Sequence, residues 1–326
     1  MTPEDQAVAD PAVEVALLPQ ATIVDKKQLP GFVEFQRVSG EARLDDLWFM
    51  VGSRCNLTCT HCYVDSSPTN DSLEQMTFDD VQPFLSEAVG YGLRHVYFTG
   101  GEPFINRDII VMIEAALGRA DCTVLTNATT PIVRHVAAMR AIAEANTYRL
   151  TLRVSLDHYD EPAHDAIRGT GNFQRTVRNI RLLCDAGLNV IVTATTIVYE
   201  GSTDAPETVE SRFAALFPDV PVDVKILPFT LEMGANLRRV EAPSEAVFIS
   251  EDCMERPGVR QENFQCHSGR TVQKIRGRMT VYPCPIIYDD PRFELGDNLT
   301  ESFGRVHIQH KACYDFCYGS GGSCTD

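Results

Sequence analysis

Three cysteines stand close together at Cys55, Cys59 and Cys62, in the run SRCNLTCTHCYVDSSP. Thiolates spaced C-x3-C-x2-C can take three corners of a [4Fe–4S] cube and leave its fourth iron without a protein ligand. Clusters that only carry electrons generally have four cysteine ligands, so a vacant iron is a place to bind and break something. A zinc site, or a four-cysteine cluster with a distant fourth ligand, is the blander reading, and the triplet alone tips only moderately against it, because three cysteines in eight residues suit several metals. The rest of the chain has to choose among them.

Two further runs carry polar groups where a ligand could meet them. Thr99-Gly100-Gly101-Glu102-Pro103 joins paired glycines, which let backbone approach a ligand closely, to a carboxylate that can accept from an ammonium group. An ordinary strand-to-helix turn accounts for the pentapeptide if it stands alone. Arg153-Val154-Ser155-Leu156-Asp157 leads into His164-Asp165-Ala166-Ile167-Arg168-Gly169. Ser155 and Asp157, two apart, face one side of a strand, and the Arg168 guanidinium matches a carboxylate. The bland alternatives are Asp157 as a helix cap and Arg168 as a surface charge.

Taken together, C-x3-C-x2-C, GGEP, and SLD followed by HD-x-x-RG resemble the radical S-adenosylmethionine (SAM) enzymes over most of residues 47–230. The resemblance implies that Cys55, Cys59 and Cys62 hold a [4Fe–4S] cluster whose open iron chelates SAM. It implies that Gly100, Gly101 and Glu102 hold the methionine amino group, with Ser155 and Asp157 at the ribose and Arg168 at the carboxylate. Asn127, in LTNAT, is a weaker candidate of the same kind, and Tyr63 lies near adenine or simply packs. The implied chemistry is reductive cleavage of SAM to a 5′-deoxyadenosyl radical, which takes hydrogen from an unreactive C–H bond. The cofactor supplies the hard step, while the protein orients and shields.

The elements that would position these groups are legible as an alternation. Strand-like apolar runs occur at Leu47–Val51, His95–Phe98, Cys122–Thr126, Arg149–Leu156, Val190–Ile197 and Val222–Leu227. Helix-like stretches lie between them at about Asp79–Gly90, Asp108–Leu117, Ile132–Ala145, Phe173–Ala186 and Pro206–Leu216. Thr77 with Asp80 reads as an N-cap and Gly187 as a stop. The pattern predicts an α/β protein with a parallel sheet and right-handed crossovers, a partial (β/α)6 barrel, with ligands at the C-terminal strand ends. The cysteine triplet lies just after the first strand, at that rim.

Residues 1–44 read as a tail or wrapping arm, 45–230 as the barrel, and 231–326 as a small loop-rich C-terminal domain. The last segment holds Cys253, Cys266, Cys284, Cys313, Cys317 and Cys324 among many turn residues, so a metal centre is expected to organise it. Cys266-x17-Cys284, with Gly277 at a hairpin turn, and Cys313-x3-Cys317-x6-Cys324 resemble the auxiliary-cluster extensions called SPASM and twitch. Ser320 stands where the full SPASM pattern has a cysteine, and the chain stops two residues after Cys324. The expectation is one auxiliary [4Fe–4S] cluster, twitch-like, with four ligands among these five cysteines; a zinc knot is the alternative. Cys122 and Cys184 read as packing residues. Cys253 is inert or, on the sharper reading, returns a hydrogen atom to a substrate radical.

Composition bounds the partners. The chain has 326 residues with 45 acidic and 29 basic side chains, a formal charge of −16, which disfavours a nucleic-acid partner. No run approaches the ~18 apolar residues of a membrane span. MTPEDQAVAD lacks a signal-peptide plan, and eleven cysteines without export point to the cytoplasm. About 45 residues precede the barrel without a leader-recognition pattern, which tilts the substrate toward a small biosynthetic intermediate, amino-sugar-like or nucleoside-like. Oxidation, epimerisation and decarboxylation stay open. The alternatives are a peptide-modifying maturase and, from another class, a non-enzymatic iron–sulfur carrier or redox sensor. An enzyme of this kind needs an electron donor such as flavodoxin or ferredoxin.

Overall fold

Each of the six apolar runs forms a strand in the computed structural model, which describes residues 26–199, 206–220, 222–227, 249–288, 290–319, 321 and 324–325. The expected boundary near residue 230, Ser320 and the first part of the N-terminal arm lie outside the described residues. The strands are β1 (Asp46–Met50), β2 (His95–Thr99), β3 (Asp121–Thr126), β4 (Leu150–Ser155), β5 (Asn189–Thr195) and β6 (Asp223–Leu227). Helices α1 (Phe78–Val89), α2 (Ile109–Leu117), α3 (Val136–Ala145), α4 (Glu161–Arg168), α5 (Asn172–Asp185) and α6 (Pro206–Ala215) cross between them. All six strands are parallel and adjacent in chain order, as successive βαβ units require.

Side-chain alternation sorts the strands into two faces. Leu47, Phe49, Val96, Phe98, Val124 and Leu152 point outward and pack with Leu85 of α1, Met112 of α2 and Ile180 of α5 in one core. Trp48, Tyr97, Leu125, Arg153 and Thr193 take the inner face, where the sheet curls round a cavity. The caps foreseen in the sequence form. Thr77 N donates to Asp80 Oδ2 at 2.7 Å and Asp80 N to Thr77 Oγ1 at 3.3 Å, closing a capping box before α1. Gly187, at φ +77°, ends the α5 segment.

The C-terminal segment enters the same sheet. Its hairpin, β7 (Gly269–Ile275) and β8 (Arg278–Tyr282), turns through Arg276 and Gly277, both at positive φ. β7 pairs in parallel with β1, so the sheet order is β8-β7-β1-β2-β3-β4-β5-β6. The hairpin turn expected at Gly277 forms, but the pairing of β7 with β1 was not foreseen, because Arg270, Thr271 and Gln273 are polar yet fully buried and break the apolar pattern. Residues of the expected arm are tied in too: Phe32–Val33 pairs antiparallel with Val306–His307. Among the described residues no helix is long and apolar enough to cross a membrane.

Candidate active site

The cysteine loop starts where β1 ends and is braced along its length. Cys55 N donates to Ser67 O at 3.0 Å, Ser53 N to Leu73 O at 3.0 Å, and Thr60 N to Ile167 O of α4 at 3.1 Å. Four donors reach the three sulfurs. Leu57 N lies 3.4 Å and Asn127 Nδ2 3.7 Å from Cys55 Sγ, Ser66 N 3.3 Å from Cys62 Sγ, and Arg168 Nη1 3.8 Å from Cys59 Sγ. Hydrogen bonds of this sort are how a protein supports and tunes sulfur ligands. Burial pushes the Cys55 thiol up to about 12 and raises Cys59 as well, with Arg168 pulling the other way. Without a metal these thiols stay protonated, and metal binding must displace the protons. No three of the described His, Cys, Asp and Glu side chains gather round one single-ion point. Three thiolates, each with its own hydrogen-bond donor, have the chemistry of iron–sulfur ligands.

The paired glycines are there for the backbone as much as for a ligand. A Cβ on Gly100 would come within 2.4 Å of Gly52 O, and one on Gly101 within 1.9 Å of Arg54 O. Only glycine lets the turn after β2 lie directly on the turn after β1, where Gly101 N donates to Gly52 O at 2.8 Å and Glu102 N to Arg54 O at 3.0 Å. Gly100 and Gly101 border the cavity; Glu102 is not among its lining residues. Its buried carboxylate accepts from Phe104 N (3.1 Å), Thr126 Oγ1 (2.8 Å) and Asn127 N (2.8 Å), bracing β2 against β3.

Asp157, Arg168 and Ser155 also come to the cavity wall. Asp157 is 2% exposed and grips Arg168 through both carboxylate oxygens, while His61 Nε2 lies 3.3 Å from Oδ1. Despite burial, which opposes ionisation, these two neighbours hold the Asp157 carboxyl well below the usual carboxylate range. His164, wholly buried, accepts from Asp157 N through Nδ1 at 3.2 Å and fixes the loop after β4. Asn127 accepts from Thr129 while donating to Asn56 Oδ1 at 3.0 Å, which keeps its amide on the Cys55 side. Tyr63 lines the cavity and meets Tyr288 edge-on at 6.2 Å.

These groups, Glu102 and His164 aside, border one cavity of about 240 Å³ at the C-terminal ends of the strands, roofed by Pro285, Ile286, Phe316 and Cys324 from the C-terminal segment. Several wall residues were not foreseen. His61 stands between two of the cysteines. Trp48 takes an inner position on β1, stacked on Tyr97 at 4.0 Å, and strand alternation alone would have pointed it inward. Arg153 reaches across to donate to the backbone carbonyl of Cys324.

The five later cysteines converge as well. Cys266, Cys284, Cys313, Cys317 and Cys324 line a second cavity of about 20 Å³, which shares Ile286 and Cys324 with the first. Cys313 and Cys317 sit four apart on a six-residue π-helical turn, Cys313–Tyr318. Burial pushes Cys317 up to about 12 and raises the other four thiols. Cys253 joins neither wall: it is the third residue of a short helix, Glu251–Met254, whose capping Ser250 Oγ lies 3.3 Å from its sulfur.

The model of the radical SAM superfamily matches residues 49–211, half of the chain. GTP 3′,8-cyclase of Marinobacter nauticus is 26% identical over 197 residues, covering 59% of this chain and 54% of that one. Mycofactocin maturase MftC of Mycobacterium tuberculosis is 25% identical over 271 residues, 76% of this chain and 66% of its own. Antilisterial bacteriocin subtilosin biosynthesis protein AlbA of Bacillus subtilis is 28% identical over 146 residues, 44% and 31% respectively. The chain thus spans between about a third and two thirds of the length of these relatives. Among solved structures, anSMEcpe with bound AdoMet superposes with a TM-score of 0.55 at 15% identity, covering 85% of this chain and 88% of that one. Streptococcus suis SuiB bound to S-adenosylmethionine gives 0.50 at 14% identity, covering 77% and 63%. The likeness to both structures is one of fold, a partial barrel, and the family match adds the kind of enzyme. This chain belongs to the radical SAM superfamily.

Proposed function

We propose that Cys55, Cys59 and Cys62 hold the [4Fe–4S] cluster of this radical SAM enzyme, and that the adjoining cavity takes SAM together with a small biosynthetic intermediate. The observation that carries this reading is the shared wall: the three cysteines, the Gly100–Gly101 turn, Ser155 and Arg168 all border one roofed space. When bound, cluster and SAM supply one-electron cleavage of SAM and hydrogen-atom abstraction. The chain's own part is placement. Arg168, locked by Asp157, keeps Nη1 turned toward Cys59. Gly100 and Gly101 offer backbone to the amino end of SAM, Ser155 and Asn127 offer polar side chains, and Tyr63 an aromatic face. Glu102 acts from below as a brace, and the roof keeps water from a reactive radical.

The substrate reading rests on the polar atoms of the wall. Trp48 Nε1, Thr193 Oγ1 and Thr195 Oγ1 are buried there without a hydrogen-bond partner among the described residues. Such atoms ask for a ligand or an ordered water. Among the described residues the only carboxylate on the wall, Asp157, is taken by Arg168 and His61. Hydroxyl and carbonyl groups, as on a nucleoside-like intermediate, suit this wall better than an ammonium. A second reading, modification of a peptide, is favoured by the likeness to a maturase and to a bacteriocin biosynthesis protein. The non-enzymatic carrier is set aside, since the family is one of enzymes.

The five-cysteine site belongs to the same proposal: four of its thiolates hold one auxiliary [4Fe–4S] cluster, in a segment (231–326) distinct in role from the barrel (45–230) and the arm (1–44). A flavodoxin or ferredoxin would serve as electron donor. The test is anaerobic reconstitution followed by product analysis with SAM and dithionite. About eight irons per chain, two cubes of four, with 5′-deoxyadenosine formed, is the expected result. A fully loaded protein that makes no deoxyadenosine with nucleosides, amino sugars or peptides present would overturn the reading.

A further inference from the structure

Arg270, the second residue of β7, is 0% exposed. Its five N–H donors are all used, and every acceptor is a backbone carbonyl. Nη1 donates to Cys266 O and Gly269 O at 2.7 Å each, Nε and Nη2 to Ser302 O at 3.0 and 2.8 Å, and Nη2 to Gly304 O at 3.2 Å. The Phe35 ring covers the guanidinium at 4.2 Å. Carbonyl dipoles satisfy the hydrogen bonds but carry no net charge. Among the described residues no carboxylate pairs with it, and the thiols of Cys266 and Cys284 are the titratable groups that favour its charged form. A buried ion without a counter-charge is costly, typically by several kcal/mol. Arginine, which does not give up its proton in proteins, cannot escape that cost by neutralising.

We propose that Arg270 is the built-in counter-charge of the five-cysteine site, and that it holds the reduction potential of the cluster bound there above the value a neutral residue would leave. The inference rests on the reading that four of these cysteines ligate a cluster. A cluster on four thiolates is anionic and gains a further negative charge on reduction. A fixed positive charge hydrogen-bonded to the backbone of Cys266, on the wall of that site, stabilises the reduced form more than the oxidised one. Because the guanidinium is buried, solvent and salt screen it little. Arg270 touches no reacting atom; it is a positioning residue for charge. Its hydrogen bond to the Cys266 carbonyl puts that charge on the backbone of a ligand, and its bonds to Ser302 and Gly304 anchor it from the far side.

The experiment is a potentiometric titration, followed by electron paramagnetic resonance, of the full-length reconstituted enzyme as wild type and as Arg270→Gln, Arg270→Met and Arg270→Lys. In the two neutral variants the C-terminal cluster is expected to become harder to reduce. At a fixed solution potential its oxidised-to-reduced ratio should rise about tenfold, about 59 mV for one electron, while the cluster at Cys55, Cys59 and Cys62 keeps its potential. Arg270→Lys, which retains the charge but not the five-bond fork, should stay near wild type, and it guards against neutral variants that do not fold. Neutral variants with both clusters present and unmoved potentials overturn the proposal. So does a lysine variant shifted as far as the neutral ones, since geometry rather than charge would then be at work. Wild type with only about four irons would sink the auxiliary cluster itself, a failure visible in the iron count before any potential is measured.

Discussion

The molecule carries its cysteines in two groups, and the groups are built differently. Cys55, Cys59 and Cys62 lie on one loop, half open to a large cavity, with donors from Asn127 and Arg168 reaching their sulfurs. Cys266, Cys284, Cys313, Cys317 and Cys324 are gathered from a short helix, the end of a hairpin, a π-helical turn and the tail around a cavity of about 20 Å³ with apolar walls. A short loop can offer three ligands and leave room for something else to bind. Thiols collected from across a segment can supply a ligand to every iron of a cube and leave none open. The first arrangement suits a centre that touches substrate, the second a centre that stores or passes an electron and ties the roof together.

That contrast can be broken by mutation. Replacing Cys55, Cys59 and Cys62 together with Ala should abolish deoxyadenosine formation, by about 10³-fold or more, roughly 4 kcal/mol of barrier or greater. Cys266→Ala should lose about four irons yet retain SAM cleavage within about tenfold. Equal loss from both variants would mean that the two sites do not divide the work. The next largest effect concerns the first site's scaffold: Gly101→Ala puts a Cβ against Arg54 O, and should cost about 4 kcal/mol of stability or prevent cluster loading. Urea unfolding together with iron content checks this. Asp157→Asn removes the partner of a buried cation and should destabilise by about 3 kcal/mol, with weaker SAM binding visible by calorimetry.

The smallest effect is one of pH. Burial, helped by Arg168, lowers the His164 pKa to about 4, so the folded protein favours the neutral ring that accepts from Asp157 N. Its contribution is complete above the unfolded value near 6.5 and is lost as pH falls toward 4, at about 1.4 kcal/mol per unit. Unfolding free energy of the loaded enzyme at pH 7.5 and 5.5 should show that slope, and His164→Asn should flatten it.

Much of this was legible in the chain because the signals were local. Thr77 and Asp80 cap α1, Gly187 ends the α5 segment, and the triplet falls after β1 because each depends on residues a few positions apart. What stayed hidden depended on tertiary context. β7 carries Arg270, Thr271 and Gln273 into the interior, which no periodicity anticipates. Glu102 sits beside two glycines that border the cavity, yet its carboxylate turns away to brace β3. Trp48 was overlooked although its place on β1 assigns it to the inner face.

The pairing of β7 with β1 has a consequence for how the protein is made. Asp46 meets Gly269, more than two hundred positions later, so one edge of the first strand has no neighbour until the C-terminal segment has been synthesised. Contacts that distant slow folding, and an unpaired parallel edge invites association with other chains. During synthesis the barrel would pass through a stage with β2 to β6 in place and the β1 edge bare. Truncation before residue 269 should therefore yield an aggregating barrel rather than a smaller enzyme, even though every cysteine of the first site would still be present.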